Sequence, residues 1–346
     1  MSKIQNDLRI DPGIRKTFGS MPDPINPGDV ESREQMLQEA NTPEAIAFRE
    51  QQEKGTNSID TEELAPSSGL DVSTLEFESH PDENPVKIQF FRPKHDKPVP
   101  CVYHIHGGGM MSASCFMGNY RVWGRMIANC GVAVAMVDFR NCLTPSSSKE
   151  VAPFPAGLND CVSGVKWLVD SHDALGIDAA NVIVAGESGG GNLTLATGLK
   201  MSREGSIGLI HGLYALCPYI AGEWPQQRFP STIENNGFLL ELGNNRGAMA
   251  YGIDELENRN PLAWPIFATE EDVKDFPPTM ISVNEFDPLR DEGIEFYRLL
   301  LRTGVPAYCR EVKGTIHGTE LFPSANPKIS RETARSVADF CKGNTR

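Results

Sequence analysis

Ser188 stands at the centre of a G-x-S-x-G pattern, within the run VIVAGESGGG at 182–191. A serine at the tip of a tight strand-to-helix turn is presented for attack on a carbonyl. Glycines two before and two after it let the strand and the helix pass closely. The helix that follows points free N–H groups at an oxygen gaining negative charge. The chemistry on offer is nucleophilic acyl transfer. A serine needs help for it: a base, an acid that holds the base, and donors for an oxyanion.

Each helper has a candidate. HGGG at 106–109 follows an apolar run, and its glycines let the backbone approach a ligand with N–H groups aimed inward. Gly108, Gly109 and Gly189 are the expected oxyanion donors, while the His106 side chain is expected to brace the loop. Two of the seven histidines lie beyond Ser188. His211 precedes an apolar run and so falls at the wrong end of a strand. His317, in GTIHG at 314–318, follows one and is the expected base. Between them, NEFDPLRDEG at 284–293 offers Glu285, Asp287, Asp291 and Glu292. Asp291 and Glu292 fall in a first helical turn, where they suit the helix dipole. Asp287 lies in the turn itself and is the expected acid, although an Asp before Pro288 is also a good N-cap. The order Ser188, Asp287, His317 is that of α/β-hydrolases. Met110, Met111 and Tyr219 are expected to wall the substrate pocket.

These residues need a scaffold. Alternation at 74–78 and 86–91 predicts an antiparallel hairpin. Apolar, β-branched runs at 102–105, 132–137, 182–185, 212–216 and 280–283 predict buried strands, with a last one at 307–312. Helical patterns at 121–129, 157–172, 193–203 and 290–301 separate most of them. The fold class is therefore α/β, a mostly parallel, doubly wound sheet of about eight strands. Residues 1–65 are polar and helical, with a break near Thr42-Pro43. Residues 218–278 are too long for a plain loop and read as an inserted helical cap. Residues 66–217 and 279–346 then make the catalytic domain. Aromatic residues of the insertion, among them Trp224, Phe229, Phe238, Tyr251, Trp264 and Phe267, are expected mostly to pack it down.

Composition narrows the function. A net charge of −14 over 346 residues disfavours nucleic acid and anionic membranes as partners. No apolar run is long enough for a membrane span, and the N-terminus lacks a signal-peptide core, which gives a cytoplasmic expectation. The eight cysteines include no C-x-x-C pair and have no histidines at metal spacing, so free thiols and no metal site are expected.

HGGG, GESGGGN at 186–192, DPLRDEG at 287–293 and HG at 317–318 together resemble the bacterial hormone-sensitive-lipase family of esterases. Phe154-Pro155-Ala156 and Asp138-Phe139-Arg140 fit the same pattern. The resemblance runs from about residue 30 to the end. It implies an α/β-hydrolase fold, a Ser188–Asp287–His317 triad, a cap over an acyl pocket and no cofactor. The substrate would be a small carboxylic ester of short to medium chain, lactones included, and members commonly form homodimers. Two departures stand out. The family more often has GDSAGG where this chain has Glu187 and Gly189, and NCLTPSSSKEV at 141–151 replaces a shorter YRLAPE-type link at the pocket rim. The same residues would also serve an amidase or an acyltransferase. A ligand receptor on this fold usually lacks a triad member, and this chain retains all three.

Overall fold

The computed structural model describes residues 2–343. Eight strands form one sheet: β1 (Leu70–Glu78), β2 (Pro85–Pro93), β3 (Val99–Ile105), β4 (Ala133–Asp138), β5 (Ile177–Glu187), β6 (Gly212–Leu216), β7 (Thr279–Asn284) and β8 (Ala307–Val312). Their order is β1-β2-β4-β3-β5-β6-β7-β8. β1 and β2 pair antiparallel, β2 meets β4 antiparallel, and every later pair is parallel.

Side-chain alternation divides the interior into two layers. Cys101, Tyr103, Ile105, Val182 and Val184 face one side, where they meet the helices Ala156–Asp170 and Gly189–Arg203. Val102, Ile183 and Ala185 face the other, against Trp123, Ile127 and Val337. Val182, Ile183 and Val184 are fully buried; such side chains each contribute about 1.5–3 kcal/mol. The central strands are thus fixed on both faces, and their carboxyl ends form a rigid shelf.

The N-terminal helices follow local rules. Ser32 caps Arg33–Ala40 by accepting from Gln35 N, and Thr42 caps Pro43–Asn57 by accepting from Ala45 N. The proline at the first position of the second helix explains the break between them. Residues 218–278 carry four short α-helices, Ser231–Glu234, Arg246–Tyr251, Ile253–Glu257 and Glu270–Val273, and a 3-10 turn at Pro265–Phe267. The two regions grip each other. Asn245 Oδ1 accepts from Val30 N at 2.9 Å while its Nδ2 donates to Val30 O at 2.9 Å, and Arg246 pairs with Glu39 at 2.7 Å. Among the described residues no helix is long and apolar enough to cross a membrane.

Candidate active site

β5 ends at Glu187 and the next helix begins at Gly189, so Ser188 is the whole turn. Its backbone is left-handed, with φ 57° and ψ −119°, a strained state that the surroundings must impose. They do so with hydrogen bonds: Ser188 N donates to Leu216 O at 2.9 Å, and Ser188 O accepts from Asn192 N and Tyr219 N at 3.0 Å each. The flanking glycines are required by space. A Cβ on Gly186 would lie 2.4 Å from Gly190 O, and one on Gly190 would lie 2.1 Å from Ile105 O.

The 106–109 loop follows β3 beside this turn. Gly108 and Gly109 have φ of +91° and +64°. Gly189 is in close contact with the same loop, since a Cβ there would lie 2.7 Å from Gly109 N and 2.5 Å from Met110 N. The three expected donors therefore gather in one place. His106 stacks on Phe139 with centroids 4.3 Å apart, and its Nδ1 lies 3.0 Å from Gly107 O. Burial holds it below the usual histidine range, so it sits in the loop as a neutral brace.

Glu187 ties the loop to the turn. Its Oε1 accepts from Gly107 N at 2.5 Å and from the Tyr120 hydroxyl at 2.5 Å. Its Oε2 has no hydrogen-bond partner and lies 3.6 Å from His104 Nε2. Burial pushes the carboxyl up to about 8. Burial pushes His104 down to about 3, and its Nε2 accepts from Trp123 Nε1 at 3.0 Å.

Of the four carboxylates at 285–292, Asp287 is the one bonded to the histidine. Its Oδ2 lies 2.7 Å from His317 Nδ1, and its Oδ1 accepts from Leu289 N at 2.9 Å. The turn role and the histidine role are shared between the two oxygens. Asp291 accepts from Ser231 N instead. Glu292 holds the insertion, accepting from Ile220 N at 2.7 Å, Ala221 N at 3.1 Å and Trp224 Nε1 at 2.6 Å. Burial alone would lower the His317 pKa, but the charge and hydrogen bond of Asp287 more than reverse this and hold it well above the usual value. Gly314 and Gly318, both left-handed, shape the loop. Ile10 and Ile14 of the N-terminal segment pack with Phe286 and Ile316, next to the two partners.

Ser188 and His317 both open onto a cavity of about 560 Å³, together with Gly108, Gly109, Met111 and Tyr219. The Ser188 hydroxyl is not hydrogen-bonded to the imidazole in this arrangement, and such contacts often tighten only with substrate bound. Met110 is corrected: it does not line this space. Its left-handed backbone (φ 59°) turns it into the main core, where it is 1 % exposed. Leu143 from the 141–151 stretch does reach the cavity wall. The insertion contributes Trp224, Leu239, Leu240 and Leu242, and the N-terminal region contributes Pro27 and Met36. Trp224, one of the insertion aromatics expected mostly to pack it down, lines the cavity; Pro27, Met36 and the three leucines carry no mark in the sequence, because apolar character alone does not distinguish a pocket wall from core. Tyr251 and Trp264 pack edge to face 5.6 Å apart, buried away from the site.

All eight cysteines are free. Their spacing shows no metal motif, yet folding assembles a mixed donor set that spacing could not reveal. The Cys217 thiol, an Asp287 oxygen and a His317 nitrogen all lie within 4.8 Å of one another.

The model of a family described as having the alpha/beta hydrolase fold matches residues 102–321. The chain is 62% identical to esterase Est22, solved with p-nitrophenol, with a TM-score of 0.96 and coverage of 99% of this chain and 100% of that one. It is 32% identical to brefeldin A esterase, a bacterial homologue of human hormone-sensitive lipase, with a TM-score of 0.87 over 98% of this chain and 95% of that one. An arylesterase of Saccharolobus solfataricus is 28% identical over 242 residues, 70% of this chain and 74% of that protein.

Proposed function

The chain belongs to the alpha/beta hydrolase family, as a carboxylic ester hydrolase related to hormone-sensitive lipase, and from that premise we propose how its residues divide the work. Ser188 is the nucleophile. His317 takes its proton during attack and returns one to the leaving alcohol. Asp287 holds the imidazole by Nδ1 and stabilises its cation. Gly108, Gly109 and Gly189 donate N–H groups to the oxyanion of each tetrahedral intermediate; one such donor contributes about 3 kcal/mol in hydrolases of this type. Water activated by His317 then cleaves the acyl-enzyme. The N-terminal helices and residues 218–278 act as the cap.

The observation that carries this reading is convergence. Ser188, the Asp287-bonded imidazole and the glycine loop reach one cavity from three separate strand ends. The cavity sets the substrate class. Its walls combine Met, Leu, Tyr, Trp and Phe side chains with the polar Asn119, Glu241, Asn244 and Arg246, and about 560 Å³ accommodates a compact ester or lactone. Short to medium acyl chains are the expected substrates. Est22, which has a solved mutant S188A, also has a serine at the matching number.

Hydrolysis of p-nitrophenyl acetate, butyrate, octanoate and palmitate by wild type and Ser188→Ala tests the assignment. The short esters should turn over, with kcat lower by about 10⁶-fold in the variant. Equal rates in the two proteins would remove Ser188 from the mechanism. A preference for palmitate would overturn the chain-length reading.

A further inference from the structure

Cys217 has no role in ester cleavage as assigned above, yet its thiol lies beside the imidazole that does. β6 ends at Leu216, and Cys217 follows with a left-handed backbone (φ 34°), pinned by a 2.7 Å bond from its N–H to Ser282 O. The side chain is buried, and it completes the set in which thiol, carboxylate and imidazole donor atoms all lie within 4.8 Å.

This set has a specific chemical taste. One sulfur, one nitrogen and one oxygen ligand with a fourth position free is a combination that zinc accepts. Mg²⁺ and Ca²⁺ prefer six or more oxygens and would gain little here. Charge points the same way. A thiolate and a carboxylate together neutralise a divalent cation, so the buried complex would carry no net charge and avoid the cost of an uncompensated ion. Access exists from one side, because His317 lines the substrate cavity.

We propose that Cys217, Asp287 and His317 form an inhibitory site for a thiophilic divalent cation of the Zn²⁺ or Cd²⁺ class. The thiol gives up its proton to solvent and bonds through sulfur. Asp287 contributes the oxygen that otherwise accepts from His317 Nδ1, and the imidazole contributes the Nδ1 lone pair, its proton passing to Nε2. Nothing is oxidised or reduced. Tetrahedral ligands with metal–ligand bonds of about 2.0–2.3 Å stand about 3.4 Å from one another, so Asp287 and His317 must move apart around the ion, which breaks their 2.7 Å bond. The histidine can then no longer take a proton from Ser188. Binding itself stands on the donor set alone; its inhibitory effect rests on the role proposed for His317.

The test uses the full chain with Cys130→Ser and Cys309→Ser, which removes the two thiols that are not buried. Cd²⁺ is titrated into this protein carrying Ser188→Ala, with and without Cys217→Ala, and thiolate-to-cadmium absorption is followed in the ultraviolet. One equivalent should bind, and the band should vanish when Cys217 is replaced. In parallel, Zn²⁺ is titrated against hydrolysis by the Ser188 enzyme, Cys217→Ala and Cys217→Ser, each normalised to its own metal-free rate. The inhibition midpoint should rise at least about tenfold in both cysteine variants, since losing even an outer partner of a metal ligand costs that much; Mg²⁺ should have no effect. Cys217→Ser keeps the size of the side chain in case the alanine variant folds poorly. Equal midpoints, or a band that survives loss of Cys217, overturn the proposal. A Ser188→Ala protein that still hydrolysed esters would instead defeat the catalytic assignment, while leaving the cadmium result to be read independently.

Discussion

Glu187 and Glu292 are both buried, and desolvation pushes both up to about 8, but they are bonded differently. Glu292 uses both oxygens against three N–H donors, from Ile220, Ala221 and Trp224. Every partner donates, so the arrangement suits a carboxylate and leaves no acceptor for a proton. Glu187 places both donors on Oε1 and leaves Oε2 bare, 3.6 Å from the nitrogen of a neutral histidine. That oxygen has room to carry a proton. Burial therefore yields two devices: a fixed tether under the insertion, and a titratable brace under the glycine loop. Hydrogen-bond geometry, more than depth, decides which is which.

The comparison breaks most visibly where the brace meets the loop. In Gly108→Ala the new Cβ would lie 2.1 Å from Ser112 O at a φ of +91°, so the loop must move and its N–H groups leave their aim. We expect kcat to fall about 10²–10³-fold, with KM changing far less. Steady-state kinetics with p-nitrophenyl butyrate reads this directly. A purely elevated KM would mean that the loop binds substrate without stabilising an oxyanion.

The tether should fail in another currency. Glu292→Ala leaves two backbone N–H groups and the Trp224 indole without an acceptor in the interior. The expected loss is about 3 kcal/mol of stability, read from urea unfolding. Trp224 stacks on Tyr219 at 4.4 Å, and both line the cavity, so KM should rise while kcat stays within a few-fold. A collapse of kcat at constant KM would show that Glu292 reaches the reacting atoms and that the contrast with Glu187 is wrong.

The same division explains what the chain disclosed from its residues alone. The expected strands are present, most extended by a few residues, because central strands are continuous apolar runs that need no partner to be recognised. Ser188, the HGGG loop and the Asp287–His317 pair were legible because turns at strand ends impose residue types locally: glycine where a backbone crowds, aspartate where a turn needs an acceptor. The cavity wall was not legible in this way. Val30 meets Asn245 across 215 positions, and Met36 and Leu240 share a wall only because that pairing forms. Met110 follows Gly109 in the chain, but its left-handed backbone turns the side chain into the core, a direction that residue type does not carry. Cys217 was unreadable for a related reason: its neighbours in space come from β7 and β8 loops far along the chain.

The gentlest test varies only pH. Ester attack needs a neutral His317. Because Asp287 raises that group above its ordinary 6.5, kcat/KM should be lost as pH falls through a value higher than usual, and the acid limb should lie on the alkaline side of pH 6.5. Glu187 works from the opposite direction. Below about 8 it is protonated and neutral; above about 8 it places a negative charge against Gly107 N, next in the chain to the N–H groups proposed to receive an oxyanion. Activity should therefore decline on that side as well, giving a narrow bell. Glu187→Gln mimics the protonated form: its oxygen can accept from Gly107 and Tyr120, and its amide can face His104. The variant should retain most activity near pH 7, keep the acid limb and lose the alkaline one. Stability must move with the same sign. A folded-state pKa above the ordinary 4.5 contributes stability that is full below 4.5 and lost as pH rises through about 8, so wild type should lose urea resistance relative to Glu187→Gln across that window. An alkaline limb that persists in the variant, with no divergence in stability, would mean that Oε2 carries no proton and that the two glutamates are tethers of one kind.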